Sequence, residues 1–445
     1  MNTLDRYKNI SVLGAAGKMG SGILLLNVLH SARMMHHPDY LGQTFVIHAI
    51  DTSYERLDGL HIYLKKQVLK WAEKNIIWLR KMYYNRPHLI DNKDIIDTFV
   101  FEALALVKPS VNIESAYQSG LIFEAIVEDE NIKSNVLKQI AGNNPNQPFF
   151  LSNTSSIPIY ILNQKAGLNG QIIGCHFYNP PAVQKLIEVI EVKGGNPELR
   201  KLVYGFAKEM GKTIVPSNDV AGFIGNGFFM RDILYAEQQY IRLKDTMSAA
   251  EALATVDWVS RKLLIRPMGI FQLIDYVGID VCTFIMKVMS NHLDEKLYSP
   301  LLNELLKKGI KGGQNNDGSQ KDGIFRYDTG AAVAIFDLES GKYLDLEPIN
   351  AKALDLLAIQ TEGYNWKQLS QSKEAQQHLS EFFSHLMHEK SMGAELAQSY
   401  MAAMKEIGEK LCTTGVTGTT EHVNTVMING FFHLYGPVND YIKIP

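Results

Sequence analysis

A chain of 445 residues is long enough for two or three domains, each with its own hydrophobic core. With 46% hydrophobic residues, 20% charged residues and a net charge of −3, it reads as a globular protein without a nucleic-acid or anionic-membrane partner. The polar start MNTLDRYKNI does not read as a signal peptide, and no apolar run is long enough for membrane insertion. The three cysteines (Cys175, Cys282 and Cys412) are far apart and suit reduced thiols in a cytoplasmic protein.

The first predicted element is a short apolar strand over residues 10–13. It runs into Gly14, Gly17 and Gly20 and then into an apolar helix that includes Met19. Such glycines permit a tight turn and let backbone N–H groups approach a pyrophosphate at the helix N-terminus. The spacing GxxGxxG is one residue longer than the common GxGxxG. A second strand, FVIHAID, ends in Asp51, whose carboxylate suits adenosine ribose hydroxyls and repels a 2′-phosphate. NAD is therefore expected over NADP, with Arg56 the nearby residue that weighs the other way. Between helix and second strand the segment MMHHPDYLGQ enlarges the connection, and is expected to cover part of the adenosine pocket.

After Asp51, Leu57, Leu60, Leu64, Val68, Trp71 and Trp78 mark one amphipathic helical stretch to about residue 81. Lys66, Lys70 and Lys74 line one face of it, as a stripe for nucleotide phosphates or as an ordinary solvated surface. Strand-like runs follow at LIFEAIV, PFFLSN, QIIGCHF, LIEVIEV and KTIVP, with helical segments between several of them. The pattern predicts an α/β Rossmann-type doubly wound domain over 1–216. From Val220 long helices take over, predicting an all-α domain over 217–330. A loop rich in Gly, Asn, Gln and Asp (309–328) leads to a region at 331–445 that is mostly helical after a short hairpin, AVAIFDLESGKYLDL. Within it EHVNTVMINGFFHLYGPVNDYI echoes ATVDWVSRKLLIRPMGIFQLIDYV, each with a helix before a glycine, Gly436 or Gly269, and then a short helix containing Asp and Tyr. The echo points to a divergent second copy of the helical domain, packed on the first as a partner subunit's would be. The protein is then a homodimer, or a monomer with an internal pseudo-dimer.

The chemistry concentrates between residues 151 and 190. His176 sits between strand-like runs and is followed by Glu188. An imidazole held by a carboxylate can take a proton from a hydroxyl while hydride leaves the same carbon. The hydroxyls of SNTSS and the amide of Asn179 add groups able to hold a substrate oxygen or a nicotinamide. Cys175 adjoins His176 but points to the opposite face of its strand, and reads as core filler. His378, His385 and His388, with Glu389, read as a solvated helix face rather than a metal centre, and no metal is expected.

Taken together, SNTSS, HFYNP, LIEVIEV and VAGFIGN resemble motifs of the L-3-hydroxyacyl-CoA dehydrogenase family in order and spacing, from about residue 10 to 327. The resemblance implies that His176 is the catalytic base and Glu188 the carboxylate that orients it. It places Ser155 and Asn226 at the substrate oxygen, and Glu128, Lys133 and Asn179 on the nicotinamide side of NAD. Lys74 falls where the family has a lysine near the coenzyme A phosphates, so an acyl-CoA substrate of fatty acid metabolism is expected. Two other functions share these motifs in part. One is an NAD-dependent dehydrogenase of a small hydroxy acid or sugar acid without coenzyme A, and the other is a non-catalytic NAD-binding scaffold.

Overall fold

A computed structural model describes residues 4–315, 318–360 and 364–441. It divides into two compact units, Met1–Asp219 and Val220–Pro445.

The first unit holds β1 (Asn9–Leu13), α1 (Lys18–Met34), β2 (Val46–Ile50), α2 (Tyr54–Lys74), α3 (Ile76–Met82), α4 (Asn92–Ala105) and β3 (Val107–Ser110). It continues through β4 (Leu121–Glu124), α5 (Glu130–Asn143), β5 (Phe149–Ser152), α6 (Ile159–Ala166), β6 (Ile172–Phe177), β7 (Leu186–Glu191), α7 (Pro197–Glu209) and β8 (Thr213–Ser217). The strands form one sheet in the order β3-β2-β1-β4-β5-β6-β7-β8. Every neighbouring pair is parallel except β6 and β7. Strands covered on both faces read as unbroken apolar runs, and β4, β5 and β6 are buried along their whole length. Leu199, Leu202, Val203 and Phe206 of α7 form the single apolar stripe of a helix packed on such a sheet.

The doubly wound architecture is the one expected, with three local differences. β3 was not foreseen: its sequence, VKPS, carries a charge and a proline, which fit only an edge strand. The amphipathic stretch after Asp51 is two helices, broken at Asn75, whose side-chain amide donates to the Trp71 carbonyl at 2.8 Å and competes with helix propagation. The inserted segment does not cover the adenosine pocket. It joins the end of α1 to the start of β2, and Val46 pairs with Asn9 where β1 begins, so it lies at the opposite edge of the sheet from Gly14 and Asp51.

The insertion is tied down there by Glu102 of α4. Its carboxylate meets His36 Nε2 at 2.9 Å and accepts from the Tyr83 hydroxyl at 2.6 Å and Arg86 at 2.6 Å. Burial alone would raise the Glu102 carboxyl, but His36, Tyr83 and Arg86 outweigh it and hold the group at about 2. Because this lies below the unfolded value, the stabilisation is present above the ordinary glutamate range and is lost as pH falls toward 2. Glu102→Gln is expected to cost about 1–3 kcal/mol at neutral pH. Urea titrations at pH 7 and pH 3 should show that deficit shrinking in acid.

The second unit holds α8 (Gly225–Leu243), α9 (Ala249–Lys262), α10 (Ile270–Val277), α11 (Ile279–His292) and α12 (Pro300–Lys307). A three-stranded antiparallel sheet follows, of β9 (Phe325–Asp328), β10 (Ala331–Asp337) and β11 (Lys342–Asp345). Then come α13 (Leu346–Leu357), α14 (Trp366–Leu369), α15 (Ala375–His388), α16 (Met392–Thr413) and α17 (Thr420–Gly430). The expected hairpin is β10–β11, but the loop before it is shorter than read, because residues 325–328 form β9. Buried Asp275 draws this segment in by accepting from the backbone N–H of Ile324 (2.6 Å) and Phe325 (2.8 Å) and from the Tyr327 hydroxyl (3.0 Å).

The echo between the two halves has a local structural basis. Asp257 of α9 accepts from the N–H groups of Phe271 and Gln272 and so caps α10. Gly269 is required beside it, because a Cβ there would sit 2.2 Å from the carboxyl atoms. Asn424 of α17 accepts from the N–H of Val438, and a Cβ at Gly436 would sit 2.1 Å from its amide carbon, but no helix follows Gly436 among the described residues, so the second short helix of the echo is not formed there. Ile265 and Phe432, at the same position before each glycine, both adopt left-handed φ (49° and 59°). Ile442, the last residue of the echo, lies outside the described residues.

The later helices pack on the earlier ones through a buried polar link. Asp232 of α8 pairs with Arg266 at 2.8 Å and accepts from the Tyr400 hydroxyl of α16 at 2.6 Å. The Tyr435 hydroxyl donates to the Leu264 carbonyl at 2.8 Å. Asp232→Ala leaves the Arg266 guanidinium buried without its carboxylate and is expected to cost about 3–5 kcal/mol. Tyr400→Phe should cost less, and calorimetry on the two variants would reveal the order. No described helix is long and apolar enough to cross a membrane.

Candidate active site

The sheet reverses its winding order between β1 and β4, and open parallel sheets bind ligands at the C-terminal ends of strands at that point. Gly14 leaves β1 there with φ +72°, and a Cβ on it would lie 2.4 Å from the Ala125 carbonyl oxygen just past β4. A Cβ on Gly20 would lie 2.0 Å from the Gly14 oxygen, so α1 approaches the turn as closely as a backbone can. The extra residue of the motif is absorbed in a turn closed by Gly17 N–H to Gly14 O at 2.9 Å, with Gly17 capping α1 and Met19 half-buried in its first turn. Asp51 stands at the end of β2, its carboxylate taking the Ala16 N–H at 2.9 Å and the Thr52 N–H at 2.8 Å. Arg56, half exposed, reaches the same carboxylate at 3.2 Å. Five of the sequence-derived cofactor residues are thus gathered around one turn.

A second group forms around SNTSS, beyond β5. Glu128 Oε1 accepts from the Thr154 hydroxyl (2.6 Å), the Ser155 N–H (2.9 Å) and the Ser156 hydroxyl (3.0 Å). Glu128 therefore anchors the loop that carries Ser155. Lys133 of α5 is buried between Glu128 (3.2 Å) and Glu124 (2.5 Å), and Glu124 also accepts from Ser152 at 2.5 Å. Burial would lower the Lys133 ammonium, but Glu124 and Glu128 raise it above its ordinary value. Burial would raise the Glu128 carboxyl, and Lys133 with the Thr154 and Ser155 donors brings it below. Glu124 is not among the residues singled out from the sequence, and Ser152, one of the SNTSS hydroxyls expected at the ligand, is turned to Glu124 instead. The signal was present as a glutamate in an otherwise apolar strand, which requires a buried partner.

The third group is the histidine couple. The β6–β7 ladder sets His176 directly opposite Glu188, and Nδ1 lies 3.1 Å from Glu188 Oε1. Glu188 is fully buried and His176 is 8% exposed. Asn153 of SNTSS holds the end of β6 by accepting from the Phe177 N–H at 2.9 Å, so the loop of Ser155 and the strand of His176 share one fastening. Asn179 lies two residues past β6 and is half-buried. Cys175 faces away from His176, and burial pushes its thiol up to about 12. Asn226 belongs to the second unit, as the second residue of α8, and Lys66, Lys70 and Lys74 are all exposed on α2. His378 of α15 meets the Tyr364 hydroxyl at 3.2 Å while His385 and His388 are exposed. No group of three or more His, Cys, Asp and Glu among the described residues is arranged to hold a metal.

Two family models match the chain. They are the 3-hydroxyacyl-CoA dehydrogenase NAD binding domain over residues 57–220 and the C-terminal domain of the same family over 222–322. The chain belongs to the 3-hydroxyacyl-CoA dehydrogenase family. A probable 3-hydroxybutyryl-CoA dehydrogenase of Deinococcus radiodurans is 33% identical over 214 residues, 48% of this chain and 75% of that one. The human mitochondrial hydroxyacyl-coenzyme A dehydrogenase is 31% identical over 231 residues, 51% of this chain and 71% of its own. In fold, the chain is similar to a crystal structure of 3-hydroxybutyryl-CoA dehydrogenase from Escherichia coli K12. That similarity has a TM-score of 0.63 at 19% identity, over 97% of this chain and 90% of the other.

The family is one of NAD-dependent oxidoreductases, and the cofactor of this member is NAD. Its NAD-domain match begins at residue 57, beyond the glycine turn and Asp51, so those residues rest on their geometry. The blocked Cβ positions at Gly14 and Gly20 and the carboxylate closing β2 fit a dinucleotide there. Asp51→Ala should weaken NADH binding by about 10–100-fold and narrow the preference over NADPH, because Arg56 is then released to meet a 2′-phosphate. Fluorescence titrations with both cofactors would show this. An unchanged preference would remove Asp51 from the site.

Proposed function

We propose that the protein catalyses the reversible oxidation of an L-3-hydroxyacyl-CoA to the 3-oxoacyl-CoA, with His176 as base and Glu188 as its orienting carboxylate. The observation that carries the reading is the facing pair on antiparallel β6 and β7, at 3.1 Å in a buried setting. NAD, held at the glycine turn and Asp51, supplies the hydride acceptor for oxidation. With Nδ1–H donated to Glu188, the imidazole presents Nε2 to the substrate hydroxyl and takes its proton. Glu188 then stabilises the imidazolium, and in reduction the same proton returns to the developing alkoxide. Ser155 and Asn226 act as neutral donors to the substrate oxygen, suited to a charge that changes between states. Glu128, Lys133 and Asn179 line the nicotinamide side. The rigidity of the Glu128–Lys133–SNTSS network supports a preorganised pocket.

Lys74, with Lys66 and Lys70, meets the coenzyme A phosphates, a role that their exposure permits. The names of the relatives support an acyl-CoA substrate and fatty acid oxidation chemistry, and the three separated cysteines support a cytoplasmic setting. The matched side-chain acceptors set against glycines at Asp257 and Asn424 support three domains: 1–216 binds the cofactor, 217–330 is the helical domain, and 331–445 is a diverged repeat of it. The repeat occupies the face a partner subunit's domain would take.

The test is NADH oxidation with acetoacetyl-CoA, beside free acetoacetate and a panel of sugar acids. Turnover confined to the thioester is expected, and turnover confined to free acids would replace the substrate class. His176→Gln should lower kcat by about 10²–10⁴-fold with NADH binding retained. NADH binding without turnover on any substrate would point to the scaffold function instead.

A further inference from the structure

The residue after β6 has a role that the sequence did not suggest. Tyr178 lays its ring over His176, with centroids 4.9 Å apart and planes at 40°. Its hydroxyl donates to Glu188 Oε1 at 2.6 Å, the same oxygen that lies 3.1 Å from His176 Nδ1. One buried carboxylate oxygen therefore serves two donors, and the shorter bond goes to the phenol. We propose that Tyr178 is a positioning residue that sets how strongly Glu188 holds the His176 imidazolium. The proposal rests on His176 being the base.

A carboxylate that accepts a hydrogen bond has its negative charge partly drawn toward that donor. In a fully buried site this bond replaces part of the solvation that the Glu188 carboxylate has lost. The same bond leaves less charge to stabilise an imidazolium on the other donor. Burial, reinforced by Glu188, holds the Tyr178 phenol well above its ordinary range. The hydroxyl thus stays a donor throughout the interval in which an imidazole titrates. Tyr178 in this way loosens the hold of Glu188 on the imidazolium, which favours release of its proton.

The surrounding charged groups have their own partners. On the β4–β5 side, the Ser152 hydroxyl goes to Glu124, which pairs with Lys133. On the β8 side, the Lys212 ammonium donates to the carbonyls of Pro181 and Gln184, both at 2.5 Å, and burial lowers it to about 8. Cys175 lies on the opposite face of β6. Tyr178 is an ionisable donor set on the Glu188 oxygen beside the imidazole.

The experiment compares the wild-type protein, Tyr178→Phe and a variant with 3-fluorotyrosine at 178. Each His176 titration is read by NMR, with His176→Gln for assignment. Tyr178→Phe keeps the ring and removes the hydroxyl, so the His176 midpoint should rise by about 0.5–1 pH unit. Fluorotyrosine is a stronger donor of the same shape and should lower it. The acid limb of 3-hydroxybutyryl-CoA oxidation should move in the same two directions while NADH affinity stays constant. A merely structural role would not move the midpoint in opposite senses. Midpoints that stay together in folded proteins, or that move the same way, overturn the proposal. Midpoints that separate as expected in a protein without thioester turnover would uphold the coupling and refute the dehydrogenase reading.

Discussion

The His176–Glu188 couple of the first unit depends on the reversal of the sheet between β6 and β7. Six strands run one way, and the chain then turns through residues 178–185 and comes back alongside. Antiparallel pairing brings residues of opposite strands face to face on one side of the sheet, and here it sets an imidazole against a carboxylate. In a parallel continuation Glu188 would be at a different height and separated from His176 by a crossover. The short return makes the couple rigid, because both residues sit in a hydrogen-bonded ladder rather than on loops.

Buried carboxylates organise what surrounds the couple. Removing a glutamate from water costs several kcal/mol unless opposite charge and hydrogen-bond donors replace the solvent. Glu124 and Glu128 meet this demand by gathering Lys133, Ser152, Thr154 and the backbone of SNTSS, and Glu188 meets it with His176 and Tyr178. Each carboxylate thereby fixes a loop or ring that the proposed reaction needs in place. Such networks resist single substitutions poorly, since the loss of one member leaves an uncompensated charge behind.

The second unit shows how a motif can survive sequence divergence when backbone geometry is the constraint. Asp257 beside Gly269 and Asn424 beside Gly436 differ in charge, yet each sets a side chain where a Cβ would otherwise stand. The glycine is the rigid requirement, and the accepting oxygen can come from an acid or an amide. The two helical stretches are then joined where the Tyr400 hydroxyl of α16 donates to Asp232, which is ion-paired with Arg266 within the first stretch. An apolar interface alone would tolerate sliding, whereas this link admits one register.

Local patterns were legible in the chain. The glycine turn and Asp51 are contiguous with the strands that present them, and apolar runs announce β4 to β8, so neighbours along the backbone were enough to read them. His176 and Glu188 were recognisable as a pair by spacing and residue type, and the helical character of the second half by periodicity. What escaped was set by pairing through space. The β3 edge strand lacks an apolar signature, and the inserted segment was assigned to the wrong edge because its position follows from the direction of α1. Glu124 and the Tyr178 hydroxyl acquire meaning only when folding brings a distant partner within 3 Å. The sequence by itself determined which segments become strands, turns and helices, since those follow from sterics and burial within a few residues. Tertiary structure alone decided which carboxylate oxygen is shared and by whom, because electrostatic partners are chosen by distance after the chain has closed.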